Sequence, residues 1–343
     1  MPEILKFKDY YSPTREVKYF LVEPTNHCNL DCMGCNRRDV ILQKPLLHMP
    51  ISDYKIILDK LEGQPIEHAK FQGLGETYFH PEVDKFFSLF KEKFPNAEAV
   101  SITNGQYPLK KKDGMNSKYG KLFEKSLESL DYLLISCDGW EDNYTKHKWP
   151  GKWDVFLKFL DDMGTYDGIK NNKLKVGLQM VVWEDNYYDI EKVHSLTKKY
   201  DWLKELRLNV FQWWGGNDYA SDLVTKFQDG RVIKADYDFP PDFYTEMGKW
   251  KTHVAGAPKW SYDECWWPNN GLLVESNGDI KLCLLNTDAK PSGNLLKESL
   301  EEVLNNSNRN KVAYECSIDT PGEHCKTCSY KDLVPILSKI QEV

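Results

Sequence analysis

Three thiols within eight residues constrain this chain more than any other feature. Cys28, Cys32 and Cys35 lie in the stretch Glu23-Pro-Thr-Asn-His-Cys-Asn-Leu-Asp-Cys-Met-Gly-Cys-Asn-Arg-Arg38, with three residues between the first pair and two between the second. Three thiolates that close together can hold zinc, or three irons of a [4Fe–4S] cluster with the fourth iron left open. Three unrelated buried thiols would also satisfy the bare spacing.

What surrounds the cysteines narrows the choice. Val17-Lys-Tyr-Phe-Leu-Val22 reads as a short buried strand running straight into the cysteine loop. Beyond the loop, Ser52 reads as an N-cap, followed by Tyr54, Ile56, Ile57, Leu58 and Leu61 at helical spacing. The alternation then repeats. Strand patterns at His68–Gln72, Ala97–Thr103, Tyr132–Ser136, Lys175–Val182 and Glu205–Phe211 are interleaved with helical patterns near Glu82–Phe94, Tyr119–Leu127, Asp154–Met163 and Ile190–Lys199. Six strands alternating with helices predict an α/β fold of parallel units with right-handed crossovers, a partial (β/α)6 TIM-like barrel. Ligands of such folds gather at the carboxyl ends of the strands, where the cysteine loop sits.

Each strand end can be examined on that basis. The second runs into Gly73-Leu-Gly75-Glu76, where two glycines let the backbone approach a ligand and a carboxylate follows. The third closes on Thr103-Asn104-Gly105 and the fourth on Ser136-Cys137-Asp138-Gly139, polar groups able to bind a ribose or carboxylate, in segments that also favour plain turns. Alternation puts Ser136 and Asp138 on one face and Cys137 on the other, toward the helices. The fifth strand presents Gln179, and the sixth presents Arg207, whose charge calls for a ligand or a salt-bridge partner.

A second cysteine group follows a polar connector spanning residues 218–257, with a helix expected over Asp242–Lys249. Gly271–Ser276 and Asp279–Leu282 form a predicted hairpin around Asn277-Gly278, bringing Cys265 and Cys283 within reach of the Cys325-x-x-Cys328 knuckle. Four thiolates on a hairpin and a knuckle suit either structural zinc or an iron–sulfur cluster, and Cys316 is left over.

The three-cysteine spacing, the ordered strand ends and the second cysteine group together resemble the radical S-adenosylmethionine (SAM) superfamily with a carboxyl-terminal twitch or SPASM-like domain. The resemblance implies a SAM-binding [4Fe–4S] cluster on Cys28, Cys32 and Cys35, and SAM cleaved to a 5′-deoxyadenosyl radical that takes a hydrogen atom from substrate. Gly73, Gly75 and Glu76 match the Gly-Gly-Glu motif that holds the SAM amino group; Thr103, Asn104, Ser136, Asp138, Gln179 and Arg207 become candidate SAM contacts. One auxiliary iron–sulfur cluster, expected to be [4Fe–4S], falls on Cys265, Cys283, Cys325 and Cys328. At Gly34 this chain departs from the aromatic residue that family members carry before the last cysteine. The implied architecture is a barrel over residues 1–217, the connector at 218–257, and a small cysteine-rich domain of β-hairpin plus helix at 258–343.

Composition then limits the reaction. A formal charge of −7 argues against a protein built to grip a nucleic-acid backbone. No run approaches the roughly 18 apolar residues of a membrane span, and the start is not a signal peptide, so a cytoplasmic protein is expected. Nine cysteines in a reducing compartment point to metal rather than disulfides. The expected substrate is a small polar, carbohydrate-like metabolite oxidised with the auxiliary cluster as electron acceptor, as in twitch-containing dehydrogenases. A peptide or protein side chain is the second reading, and a non-catalytic zinc or iron–sulfur protein the reading of another class. An electron donor such as flavodoxin or ferredoxin is the expected partner.

Overall fold

The computed structural model describes residues 16–35, 37, 45–183, 185–210, 270–282 and 291–317. The elements are β1 (Tyr19–Val22), α1 (Ile51–Lys60), β2 (His68–Phe71), α2 (Val83–Lys93), β3 (Glu98–Thr103), α3 (Lys118–Ser126), β4 (Tyr132–Ser136), α4 (Asp142–His147), α5 (Trp153–Met163), α6 (Asp167–Lys170), β5 (Lys175–Val182), α7 (Ile190–Lys199), β6 (Leu203–Val210), β7 (Gly271–Val274), β8 (Ile280–Lys281), α8 (Leu300–Leu304) and α9 (Ser307–Ser317). They build one eight-stranded sheet in the order β6-β5-β4-β3-β2-β1-β7-β8. Every pairing is parallel except β7 with β8. The six predicted strands are therefore present in sequence order, with helices after each of the first five, as a partial barrel.

Side-chain alternation sets the two faces of the sheet. On β3, Ala99, Ser101 and Thr103 are buried against the helices while Glu98, Val100 and Ile102 are half-buried on the concave face. On α2, Val83, Phe86, Phe87 and Phe90 recur at helical spacing and are all fully buried. Their rings meet the sheet directly: Phe71 stands edge-on to Phe87 at 4.8 Å between centroids, and Phe90 lies 5.7 Å from Phe71 and 6.4 Å from Phe20. This aromatic layer fixes the height of α2 above β1 and β2, the strands that carry the cysteine and glycine loops.

Two local expectations change. Ser52 is not the N-cap of α1; Pro50 precedes the helix without a side-chain cap, and the Ser52 hydroxyl turns instead to Asp53 Oδ1 at 3.3 Å. The hairpin forms where predicted, but Gly278 alone takes the left-handed conformation, at φ +84, with its N–H bonded to Glu275 O at 2.8 Å. That is a type I turn closed by a glycine bulge rather than a mirror-image turn.

The first strand of that hairpin also extends the barrel. β7 pairs in parallel register with β1 from Tyr19↔Gly271 to Val22↔Val274, covering an edge that would otherwise be bare. Lys60 Nζ donates to the carbonyls of Leu295 (2.6 Å) and Glu298 (2.7 Å), and the buried Arg309 donates to Gly271 O at 2.6 Å. The segment after residue 270 is thus tied to the barrel at both the sheet and α1. The connector, its expected helix at Asp242–Lys249, and Cys265, Cys283, Cys325 and Cys328 lie outside the described residues. Among the described residues no helix is long and apolar enough to cross a membrane.

Phe90 tests the packing. Phe90→Ala removes a fully buried ring touching two strands, and a loss of about 3–5 kcal/mol is expected from the urea midpoint at unchanged slope. A loss below about 1 kcal/mol would mean that α2 does not set the position of β1 and β2.

Candidate active site at the strand ends

The described residues of the loop after β1 have almost no regular structure, so their shape is set by bonds to their surroundings. On one side, Thr25 Oγ1 donates to Leu47 O (3.0 Å), Asn26 Nδ2 to Pro45 O (2.9 Å), and Met49 N to Pro24 O (2.8 Å). On the other, Asp31 N donates to Trp149 O (2.7 Å) and Met33 N to His147 O (2.9 Å), bracketing Cys32 opposite Lys148. From the third strand end, Asn29 Nδ2 donates to Gln106 O at 2.6 Å. From the second, Glu76 N donates to His27 O at 2.7 Å.

The glycines of the second strand end are explained by this last contact. A Cβ on Gly75 would stand 2.1 Å from Thr25 O, and one on Gly73 would stand 2.2 Å from the Glu23 side chain. Neither position has room for any side chain, which is why two glycines precede the acid. Glu76 itself is buried, and its carboxylate accepts from Thr103 Oγ1 (2.8 Å), Asn104 N (2.7 Å) and Tyr78 N (3.3 Å). Burial outweighs these bonds and raises the carboxyl to about 7. Thr103, Asn104 and Glu76 are therefore one hydrogen-bonded unit.

The three thiols are partly exposed and unpaired with one another. Cys28 Sγ accepts from Leu30 N at 3.4 Å and lies 3.7 Å from Asn104 Nδ2. Burial raises the Cys28 thiol to about 11 and drives Cys32 and Cys35 upward too. Thiols so placed ionise at a cost unless a cation binds them, and N–H donors aimed at sulfur suit a metal-bound thiolate. The donor set fits an iron–sulfur cluster.

Ser136 and Asp138 come together, but on a partner that the sequence reading missed. The buried Lys148 donates to Ser136 Oγ (2.5 Å) and Asp138 Oδ2 (2.7 Å), while Asp138 Oδ1 accepts from Val181 N at 2.8 Å. Burial opposes the Lys148 charge, yet Asp138 and then the Cys32 thiol favour it more, and its pKa is raised. Lys148 owes its place to α4, a polar six-residue helix without apolar periodicity. Cys137 lies in the core on the helix side, as alternation predicts. Glu23 is a second residue whose part was not legible: its carboxylate accepts from Leu74 N (2.7 Å) and from Ser276 Oγ (3.0 Å), joining the glycine loop to the hairpin.

Gln179 and Arg207 stand side by side in register on β5 and β6, on the same face as Ser136. Arg207 Nε bonds Glu205 Oε1 at 2.5 Å and its guanidinium lies 4.4 Å over the Tyr132 ring. The salt-bridge reading of Arg207 is thus satisfied by Glu205. Of the second cysteine group, only the backbone of Cys316, within α9, is described.

The matches to known proteins agree with this geometry. Residues 265–329 match the SPASM model, an iron–sulfur cluster-binding domain, and the matched span contains Cys265, Cys283, Cys325 and Cys328. No curated protein matches the sequence significantly. Among solved structures, BtrN in complex with AdoMet and 2-DOIA superposes with TM-score 0.53 at 15% identity, covering 91% of this chain and 92% of BtrN. Streptococcus suis SuiB bound to precursor peptide SuiA gives TM-score 0.61 at 14% identity, covering 96% and 73% of the respective chains. Native anSMEcpe with bound AdoMet and Cp18Cys peptide gives 0.59 at 15% identity, covering 95% and 100%.

The Glu76 unit carries a pH signature. A carboxyl at about 7 in the fold and 4.5 when free keeps its proton longer in the native state, so its contribution is complete below pH 4.5 and declines as pH rises through about 7. In the cluster-free protein, wild type should lose stability relative to Glu76→Gln across that window, on the order of 3 kcal/mol in all. Parallel pH profiles from chemical unfolding would contradict this. These findings give the chain the fold of the radical SAM enzymes of known structure, with an iron–sulfur cluster-binding SPASM domain matched at residues 265–329.

Proposed function

We propose that this protein is a radical SAM enzyme that oxidises or remodels a small polar metabolite. The observation that carries the reading is the cradle itself: three thiols at the end of β1, clamped by a glycine loop whose acid is aimed by the third strand end. Cys28, Cys32 and Cys35 would hold three irons of a [4Fe–4S] cluster and leave the fourth for SAM. When bound, cluster and SAM supply a 5′-deoxyadenosyl radical that removes a hydrogen atom from substrate.

The chain's own residues then have distinct tasks. Glu76, with Thr103 and Asn104 fixing its orientation, receives the SAM amino group; Gly73 and Gly75 allow the backbone approach. Lys148, held by Ser136 and Asp138, sets a positive charge beside Cys32 and so offsets part of the negative charge of three thiolates. Ser136 and Asp138 act on the site through Lys148, and Gln179 and Arg207 line the concave face below it. Cys265, Cys283, Cys325 and Cys328 are assigned to an auxiliary cluster within the matched SPASM span, where full cysteine ligation suits electron transfer. A soluble electron carrier such as flavodoxin or ferredoxin would reduce the first cluster.

The polar side chains Gln179 and Arg207, which share the concave face with Val100 and Ile102, favour a small polar substrate, and BtrN, a structural relative, was solved with 2-DOIA. A peptide substrate is the second reading, supported by the peptide-bound relatives SuiB and anSMEcpe.

Anaerobically reconstituted protein tests the proposal. About eight irons and a matching amount of sulfide per chain are expected. With a strong reductant, wild type should form 5′-deoxyadenosine from SAM, and Cys28→Ala/Cys32→Ala/Cys35→Ala should not. Zinc in place of iron, or no cleavage by fully loaded wild type, would overturn it in favour of a metal-binding protein without radical chemistry.

A further inference from the structure

The concave face of the barrel carries a charge that the protein does not balance. Lys70 and Gln72 share that face of the second strand end, opposite the core residues Ala69 and Phe71. Lys70 is half-buried, and among the described residues it makes no hydrogen bond and no ion pair. Burial lowers its pKa to about 8 and the like charge of Arg207 adds to the effect, with no carboxylate acting against them. Through Val100 on β3, Lys70 is in register with Tyr132 on β4, and the Arg207 guanidinium lies 4.4 Å over that ring, so Arg207 reaches back from β6 toward the strands beside Lys70.

Arg207 has only a shared counterion. Glu205 accepts from Arg207 Nε at 2.5 Å, from Lys175 Nζ at 2.8 Å and from the Tyr132 hydroxyl. Burial works against the Glu205 charge, but those three partners bring the carboxyl down to about 2, so its charge is fully committed. One carboxylate therefore serves Arg207 and Lys175, and Lys70 has none. Two further polar groups on the same face are also unspent. Gln72 Oε1 is sealed from solvent with no donor, and the Gln179 carboxamide, in register beside Arg207, makes no side-chain hydrogen bond among the described residues.

A half-buried cation without a partner among the described residues, a second cation with a shared one, and an orphaned acceptor on the same face are jointly costly. One ligand removes all three deficits. We propose that Lys70 and Arg207 form an anion-binding floor to the substrate pocket, so that the substrate is a small polar molecule bearing a carboxylate or phosphate, with a hydrogen-bond donor for Gln72. A guanidinium and an ammonium converging on one acidic group give charge-assisted bonds that a neutral sugar cannot make. The identification of this pocket as a substrate site rests on the radical SAM reading; the anion site itself does not.

Isothermal titration of the full-length, cluster-loaded protein tests this with three probes: inorganic phosphate, D-gluconate and the neutral analogue D-glucitol. At least one anion should bind about tenfold or more tighter than D-glucitol, and whichever is tighter names the acidic group. Lys70→Met should weaken that binding about tenfold or more, and Lys70→Arg should recover most of it. On wild type alone, brief acetylation read by mass spectrometry should modify Lys70, and the tighter anion should protect it. Binding of D-glucitol as tight as the anions, no anion binding at all, or Lys70 acetylation unchanged by the anion would overturn the proposal. Because neither readout uses SAM cleavage, a failed radical reading would show in 5′-deoxyadenosine formation and leave these results standing.

Discussion

The hydrogen bond from Glu76 N to His27 O is short at 2.7 Å because nothing but hydrogen stands on Gly75, where a Cβ would meet Thr25 O at 2.1 Å. That close approach locks the cysteine loop to the second strand end, and the remaining geometry of the site follows. The described residues of the loop make few bonds among themselves, so Cys28, Cys32 and Cys35 take their positions from what surrounds them. The stretch at residues 45–49, Glu76, Gln106, and the turn at His147–Trp149 each hold one side of it. A cluster ligand set on an irregular loop can be rigid when every neighbouring strand end contributes a bond.

Charge is distributed on the same plan. Near the thiols, a buried lysine held in place by Asp138 keeps its charge and faces Cys32, so the cradle tolerates the anionic character that metal-bound thiolates would bring. Glu76 is held as an acid whose ionisation burial resists, ready to meet a positive or hydrogen-bonding group. Deeper in the barrel the balance reverses: among the described residues Lys70 has no counterion and Arg207 shares one. The proposed cofactor site and the proposed anion site thus fall on parts of the concave face with opposite charge balance.

Much of this was legible in the sequence because it depends on periodicity and on residues with few alternatives. The strands alternate cleanly, α2 places Val83, Phe86, Phe87 and Phe90 on one stripe, and the Gly73-x-Gly75-Glu76 loop follows directly from β2. The pairing of Thr103 and Asn104 with Glu76 follows from both being strand ends of one parallel sheet. Lys148 was not legible. It follows a six-residue helix whose sequence, Asp-Asn-Tyr-Thr-Lys-His, has no hydrophobic repeat, and its partners are brought to it by tertiary contact alone. Ser136 and Asp138 were correctly placed on the open face, yet their hydrogen bonds go to that lysine and to Val181. Glu23 joins two loops distant in sequence, which no local pattern encodes. The parallel pairing of β7 with β1 was hidden for the same reason: a hairpin signal fixes its own turn but says nothing of which strand it lies beside.

The central claim is that Cys28, Cys32 and Cys35 present a cluster with one iron open to SAM. Electron paramagnetic resonance of the reduced protein tests it most directly, using Cys265→Ala/Cys283→Ala/Cys325→Ala/Cys328→Ala so that only the first site is loaded. Added SAM should change the g-values of the reduced [4Fe–4S] signal, because a ligand bound at the open iron would alter that iron's surroundings. A spectrum identical with and without saturating SAM, from protein carrying a full four irons at this site, would contradict the account.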